Sequence, residues 1–144
     1  MAFLKKFLGK VIQYFWPEKI PEFAVSMYIK LAKEARTGYY QIEAEEIIKR
    51  IEMKGDVRNL LDIGTGPGLM LFEIAKLRPD LTLVGVDLSE KLIKFADNEK
   101  VRRDHHDVFF LIGDANHLVE FSDNDCDFVI SSGVLHSLKN PVGA

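Results

Sequence analysis

Asn59-Leu-Leu-Asp-Ile-Gly-Thr-Gly-Pro-Gly68 is the stretch on which the reading of this chain turns. Leu60, Leu61 and Ile63 form an apolar run of the length of a buried strand. Glycines then recur at alternate positions, Gly64, Gly66 and Gly68, and Leu69-Met-Leu-Phe-Glu-Ile-Ala-Lys-Leu77 follows with helical character. A strand that enters a helix through a tight glycine turn is a nucleotide-type cradle. Its bare backbone lets a ligand approach, and its N–H groups are expected to point at that ligand. Alone such a turn is a weak signal, so the surrounding pattern has to carry the assignment.

Outward from this turn, strands alternate with helices. Strand one is expected over about 58–63, helix A over 68–77, and Arg78-Pro79-Asp80 is a stop. Leu81-Thr-Leu-Val-Gly-Val86 reads as strand two, buried on both faces, with Asp87 at its C-terminal end. Ser89 is a candidate N-cap for helix B, about 90–102. Val108–Ile112 is strand three, Gly113-Asp-Ala115 ends it, and Asp127–Ser131 is strand four. This alternation implies an α/β fold, a parallel sheet with right-handed crossovers and flanking helices; in the Rossmann-like order 3-2-1-4 the four strand ends would converge on one crevice. Residues 57–144 are assigned to that domain and residues 1–56 to an N-terminal helical extension or lid.

In the extension, residues 1–16 place Phe3, Leu4, Phe7, Leu8, Val11, Ile12 and Phe15 on one helical face, with Lys5, Lys6 and Lys10 opposite. That stripe suits docking on protein or peripheral contact with an anionic membrane surface. Pro17 and Pro21 break it. Helical character resumes over 22–36, Thr37-Gly38-Tyr39-Tyr40 reads as a break, and a second helix is expected from about Gln41 to Met53. In that helix Ile42, Ile47, Ile48 and Ile51 should face inward and Glu43, Glu45, Glu46, Lys49 and Arg50 outward, with Gly55 closing it. Tyr39 and Tyr40 are candidates to fold over a pocket, with core packing as the default.

The totals constrain partners. A net charge of −3 on 144 residues, with no basic stripe, argues against nucleic acid. The lone cysteine, Cys126, excludes an internal disulfide and suits a cytoplasmic setting; it reads as a small buried hydrophobe. No apolar run reaches the ~18 residues of a membrane span, and the N-terminus does not have the plan of a signal peptide. Asp104-His-His-Asp107 lacks the spacing that directs several ligands to one ion, so it is read as a solvated loop and no metal is expected.

In parallel sheets of this kind, ligands sit beyond the C-terminal ends of the strands. Asp87 there can accept both hydroxyls of a ribose, and it lies about 20 residues beyond Gly64, as a ribose-binding acid should. Leu88 can face a base, Asp114 can accept from an exocyclic amine, and the N–H of Ala115 can serve a ring nitrogen. Asp62 beside the loop favours an ammonium or sulfonium and would repel a pyrophosphate. With G-x-G-x-G in place of G-x-G-x-x-G, and no Lys or Arg in the loop, a nicotinamide dinucleotide is the weaker reading.

Asp62-Ile-Gly-Thr-Gly-Pro-Gly68, Val84-Gly-Val-Asp-Leu-Ser89, Gly113-Asp-Ala115 and Asp127-Phe-Val-Ile-Ser-Ser-Gly-Val-Leu-His136 together resemble the successive motifs of class I S-adenosylmethionine-dependent methyltransferases. The resemblance covers roughly 57–140. It implies S-adenosylmethionine as cofactor, its amino-acid part at Asp62, Gly64, Thr65, Gly66 and Gly68, its ribose at Asp87 with Leu88, and its adenine at Asp114 with Ala115. Ser131 would line the methyl-donor end. His136 is the one candidate for a catalytic base, with capping or packing as its bland alternative. Ser131-Ser-Gly-Val-Leu-His is unlike the Asn/Asp-Pro-Pro-Tyr motif of many nitrogen methyltransferases, which implies a small-molecule acceptor. The family's sheet has three strands beyond strand four that these 144 residues do not contain. Strand four is therefore expected as a free apolar edge, completed by a second copy, by another polypeptide, or by the rest of a longer enzyme. Two other functions stand beside a small-molecule methyltransferase. One is a non-catalytic methyltransferase-like module. The other is a membrane-peripheral enzyme acting on a lipid or quinone.

Overall fold

The structure, a computed structural model, describes residues 20–118 and 121–132. The stripe over residues 1–16 and the candidate base His136 lie outside them. Helix α1 runs Val25–Lys54, followed by β1 (Asn59–Ile63), α2 (Leu69–Leu77), β2 (Thr82–Asp87), α3 (Glu90–Arg103), β3 (Val108–Ile112) and β4 (Phe128–Ile130). The strands form one sheet, parallel as the alternation predicts, in the expected order β3-β2-β1-β4. Leu61 pairs with Val84 on one side and Val129 on the other, and Val84 pairs in turn with Phe109.

One face of the sheet builds the core. Leu60, Leu83, Val108 and Phe110 meet Ile48 and Ile51 of α1, Phe72 and Ile74 of α2, and Ile93 and Ala96 of α3. Side chains alternate across a strand, so Phe109, Leu111 and Val129 lie on the opposite face, where all three are exposed. Asp127, just before β4, ties that edge strand to the start of β1. Its Oδ2 accepts from the N–H groups of Arg58 at 2.8 Å and Asn59 at 2.9 Å. Those bonds hold its carboxyl below the usual range.

The break expected at Thr37–Tyr40 does not occur: α1 is one helix of 30 residues. A mid-helix glycine costs about 1 kcal/mol relative to alanine. Here Ala32, Tyr40, Ala44, Ile48 and Ile51 are buried at helical spacing on both sides of Gly38. Each large apolar side chain so buried contributes roughly 1.5–3 kcal/mol, which outweighs the glycine. Gly38 lies on the open side, where an added Cβ would meet nothing. Ile42, expected inward, is 69% exposed. Gly55 does end the helix, at φ 99°, donating its N–H to the Ile51 carbonyl at 3.1 Å.

Ser89 caps α3 as expected, its hydroxyl accepting from the Leu92 N–H at 3.4 Å. Ser89→Ala should lower stability by about 1 kcal/mol, read as a shift in the urea midpoint with unchanged slope. An unchanged midpoint would show that the cap contributes nothing. Glu99 of α3 is buried, and its carboxylate is surrounded by cations. Lys33 of α1 lies 3.5 Å away, Arg103 lies 3.5 Å away, and Arg102 donates a short hydrogen bond to it. Burial alone would raise its pKa; Lys33, Arg102 and Arg103 more than offset that and lower it.

Candidate functional site

Asp62 in β1, Thr65 in the loop after it, Asp87 at the end of β2 and Ser131 just after β4 stand at the C-terminal edge of neighbouring strands, where sheets of this kind form a ligand crevice, and α1 reaches that edge through Glu43. Asp87 is the organising side chain. Its Oδ2 accepts from the Gly66 N–H at 2.9 Å and its Oδ1 from the Ser89 N–H at 2.9 Å. One carboxylate thus fixes both the glycine loop and the start of α3. The other loop donors are also used internally. Gly64 and Thr65 donate to the Val86 carbonyl at 2.8 and 3.0 Å, and Gly68 donates to the Thr65 carbonyl at 3.1 Å. This corrects the expectation of N–H groups free for a ligand. The loop spends those donors on its own fold, and the unmet groups beside it are one carboxylate oxygen and two hydroxyls.

Those unmet groups are specific. Asp62 Oδ1, Thr65 Oγ1 and Ser131 Oγ are buried with no hydrogen-bond partner among the described residues. A buried polar atom without a partner costs about 1–3 kcal/mol, and three in one crevice mark a place built to be filled. Asp62 is 2% exposed. Burial pushes its carboxyl up to about 7; the Thr65 hydroxyl, near but outside hydrogen-bond geometry, pulls it down, and the carboxylates of Asp87 and Glu43 push it up further. Unlike Glu99, Asp62 has no cation acting on it among the described residues. Such a crevice suits a positively charged ligand that donates hydrogen bonds.

Gly85, in the middle of β2, leaves the space that Thr65 fills: a Cβ there would lie 2.7 Å from Thr65 Oγ1. Leu88 is 37% exposed beside Asp87, open to a flat apolar group. Asp114 closes a turn after β3, its Oδ1 accepting from the Asn116 N–H at 2.9 Å and Nδ2 at 2.8 Å. The bonds from Asn116, backbone first, hold its carboxyl below the usual range. Ala115 is half-buried in that turn.

Two residues of α1 that the sequence reading did not assign to the site reach it. Tyr28 lies over the glycine loop, its hydroxyl 3.8 Å from where a Cβ on Gly66 would stand. Glu43, expected on the outer face, instead points to the strand ends and accepts from Ser132 Oγ at 3.2 Å and Tyr39 Oη at 2.5 Å. Tyr40 is core, whereas Tyr39 is half exposed. Only the helical phase next to Tyr40 and Ala44 hinted that Glu43 borders the buried stripe. Ser132 is 89 positions away in the chain.

The histidine-rich turn takes no part. His105, expected to be solvated, stacks on Phe72 with ring centroids 5.7 Å apart, and burial lowers its pKa. Among the described residues, no group of three or more His, Cys, Asp or Glu could hold a metal ion. Cys126 is half-buried and away from the crevice. Burial, then Asp125 and Asp127, raises its thiol pKa.

A family model described as "Methyltransferase domain" matches residues 54–144. The malonyl-[acyl-carrier protein] O-methyltransferase of Halalkalibacterium halodurans is 34% identical over 95 residues, which are 65% of this chain and 34% of that protein. A tRNA (guanine-N(7)-)-methyltransferase of Prochlorococcus marinus is 35% identical over 77 residues, 52% of this chain and 37% of that protein. Among solved structures, a Methanococcus maripaludis protein assigned as an S-adenosyl-L-methionine-dependent methyltransferase superposes with TM-score 0.70 at 26% identity. The match covers 81% of this chain and 52% of that one. The chain thus spans about a third of the length of these curated relatives. The tRNA enzyme weakens the exclusion of nucleic acid drawn from composition, because a relative with such an acceptor shares this domain.

Proposed function

We infer function from kinship and site together: the chain belongs to the class I S-adenosylmethionine-dependent methyltransferase family. We propose that the crevice at the strand ends binds S-adenosylmethionine, and that the chain serves transfer of its methyl group to a small-molecule acceptor. The observation that carries the cofactor reading is the set of buried oxygens of Asp62, Thr65 and Ser131 that have no hydrogen-bond partner among the described residues, beside the carboxylates of Asp87 and Glu43. They match a ligand with an ammonium, a sulfonium and ribose hydroxyls. They do not match a pyrophosphate.

When bound, the cofactor supplies a methyl group activated by its positive sulfur. The chain's own groups bind and orient. Asp62 and Thr65 would receive the amino-acid part at the loop of Gly64, Gly66 and Gly68. Asp87 accepts one backbone N–H on each oxygen, which fixes the carboxylate where it would receive the ribose hydroxyls. Leu88 would lie against the base and Asp114 with Ala115 at its edge. The Ser131 hydroxyl would border the reacting end. Methyl transfer depends chiefly on alignment of the acceptor, which a rigid loop tied to Asp87 favours.

The small-molecule acceptor rests on Ser131-Ser-Gly-Val-Leu-His136 replacing an Asn/Asp-Pro-Pro-Tyr motif. The relatives' acceptors, a malonyl-[acyl-carrier protein] and a tRNA guanine N7, keep the class wide. A lipid or quinone acceptor has only the stripe over residues 1–16 in its favour. Among the described residues no helix is long and apolar enough to cross a membrane.

Calorimetric titration of the chain with S-adenosylmethionine tests the cofactor reading. The wild type should bind and Asp87→Ala should lose at least about tenfold, since charge-assisted hydrogen bonds contribute roughly 1.5–3 kcal/mol each. A folded Asp87→Ala chain with unchanged affinity would remove Asp87 from the site.

A further inference from the structure

Glu43 brings to the crevice a carboxylate from outside the glycine, ribose and base motifs. It projects from the middle of α1 onto the end of β4. Two neutral donors hold it there, Tyr39 Oη on Oε1 at 2.5 Å and Ser132 Oγ on Oε2 at 3.2 Å. Hydroxyls fix its position and leave its charge in place. Glu43 is near enough to push the carboxyl of Asp62 up, after burial and Asp87. Asp62 Oδ1 and Thr65 Oγ1, on residues 2% and 7% exposed, have no hydrogen-bond partner among the described residues. Ser131 Oγ, also unpartnered, is on the residue next to Ser132.

The sheet order β3-β2-β1-β4 spreads these groups along the crevice. Asp114 follows β3, Asp87 ends β2, Asp62 lies in β1, and Ser131, Ser132 and Glu43 stand together beyond β4. Glu43 is thus separated by a strand from the carboxylate suited to ribose, at the end where the reacting sulfur would sit. The cofactor carries a positive charge there before transfer. Its demethylated product has a neutral thioether at the same place and is otherwise the same molecule.

We propose that Glu43 is a specificity-determining residue that makes the site prefer the positively charged sulfonium cofactor over its uncharged thioether product. The inference rests on the cofactor reading above. A fixed, half-buried carboxylate attracts a positive charge several ångströms away and has no such attraction for a neutral sulfur. Removing the charge should therefore weaken one ligand and spare the other.

The experiment is titration of the full chain with S-adenosylmethionine and with S-adenosylhomocysteine, for wild type, Glu43→Gln and Glu46→Gln. Glu46 sits on the outer side of the same helix, paired with Lys49 and Arg50, and controls for loss of one negative charge. Circular dichroism establishes that each variant is folded. Glu43→Gln is expected to lose about tenfold in affinity for the sulfonium and less than about twofold for the thioether, an effect of the size one partly screened charge pair gives. Glu46→Gln should leave the ratio of the two affinities as in the wild type. Equal loss for both ligands in Glu43→Gln would overturn the proposal, because Glu43 would then face a group common to both. An unchanged ratio without loss would overturn it too. A wild-type chain that binds neither ligand would instead sink the cofactor reading, and this inference with it.

Discussion

Asp62→Asn should make the unliganded chain more stable at pH 8, leave it unchanged near pH 5, and abolish measurable binding of S-adenosylmethionine. Asp62 is 2% exposed, with one oxygen unpartnered. Its carboxyl is pushed from 3.8 to about 7, first by burial and then by Asp87 and Glu43, against the lowering effect of Thr65. The sign follows from which state holds the proton. Between 3.8 and about 7 the folded chain keeps it and the unfolded chain has released it. Stability therefore falls as pH rises through that window and is level above it. The full penalty is at most roughly 4 kcal/mol. An amide carries no charge and escapes it, but leaves its own buried polar atoms unmet at a cost of about 1–3 kcal/mol. The net gain at pH 8 is then about 1–3 kcal/mol, a rise of several degrees in melting temperature for a domain of this size. The same charge that costs stability is what a cationic ligand would offset, so the variant trades binding for stability. Thermal unfolding at the two pH values, with and without cofactor, checks this. A stability gain equal at pH 5 and pH 8 would show that Asp62 carries no buried charge.

Gly68→Ala should be far more damaging than the same change at Gly66. Gly68 has φ 72°, which an alanine adopts only with strain, and it immediately precedes α2. Its added Cβ would also stand 2.5 Å from Phe110 Cζ, 2.6 Å from Phe110 Cε1 and 3.2 Å from Ala96 Cβ. Phe110 has little room to retreat, since it packs edge-on against Phe72 at 5.6 Å and Phe72 is wholly buried. Left-handed strain of about 1–2 kcal/mol adds to overpacking of about 1–3 kcal/mol. The expected loss of about 2–5 kcal/mol is a large part of the 5–15 kcal/mol typical of a domain. Gly66→Ala separates the two effects. It shares the positive φ, at 57°, yet its Cβ would meet only the Tyr28 hydroxyl at 3.8 Å. Urea unfolding of both variants should show Gly68→Ala the worse by at least about 1 kcal/mol. Equal losses would mean that the Phe110 contact yields freely and strain alone matters.

What could be read before folding was whatever the chain writes locally. The strands, the glycine turn, the Ser89 cap and the placing of Asp87 at the end of β2 depend on neighbours a few positions apart. The alternation of strand and helix made the sheet parallel, and its order β3-β2-β1-β4 was expected as the one that brings the strand ends to one crevice. The sequence by itself therefore determined the fold class and a strip of candidate residues along the strand ends.

The tertiary structure decided everything that depends on distant partners. Gly38 and its neighbours read as a break because local propensity disfavours helix there; α1 runs through because its buried face on both sides outweighs one glycine. Glu43 reads as solvated because its sequence neighbours are charged; it turns to the crevice because Ser132, 89 positions on, lies under α1. His105 reads as a loop residue, yet Phe72 offers it a ring to stack on. The loop N–H groups were expected to await a ligand, but Val86 and Asp87 take them. In each case the deciding partner is remote in the chain, and only packing brings it close enough to change which state has the lower free energy.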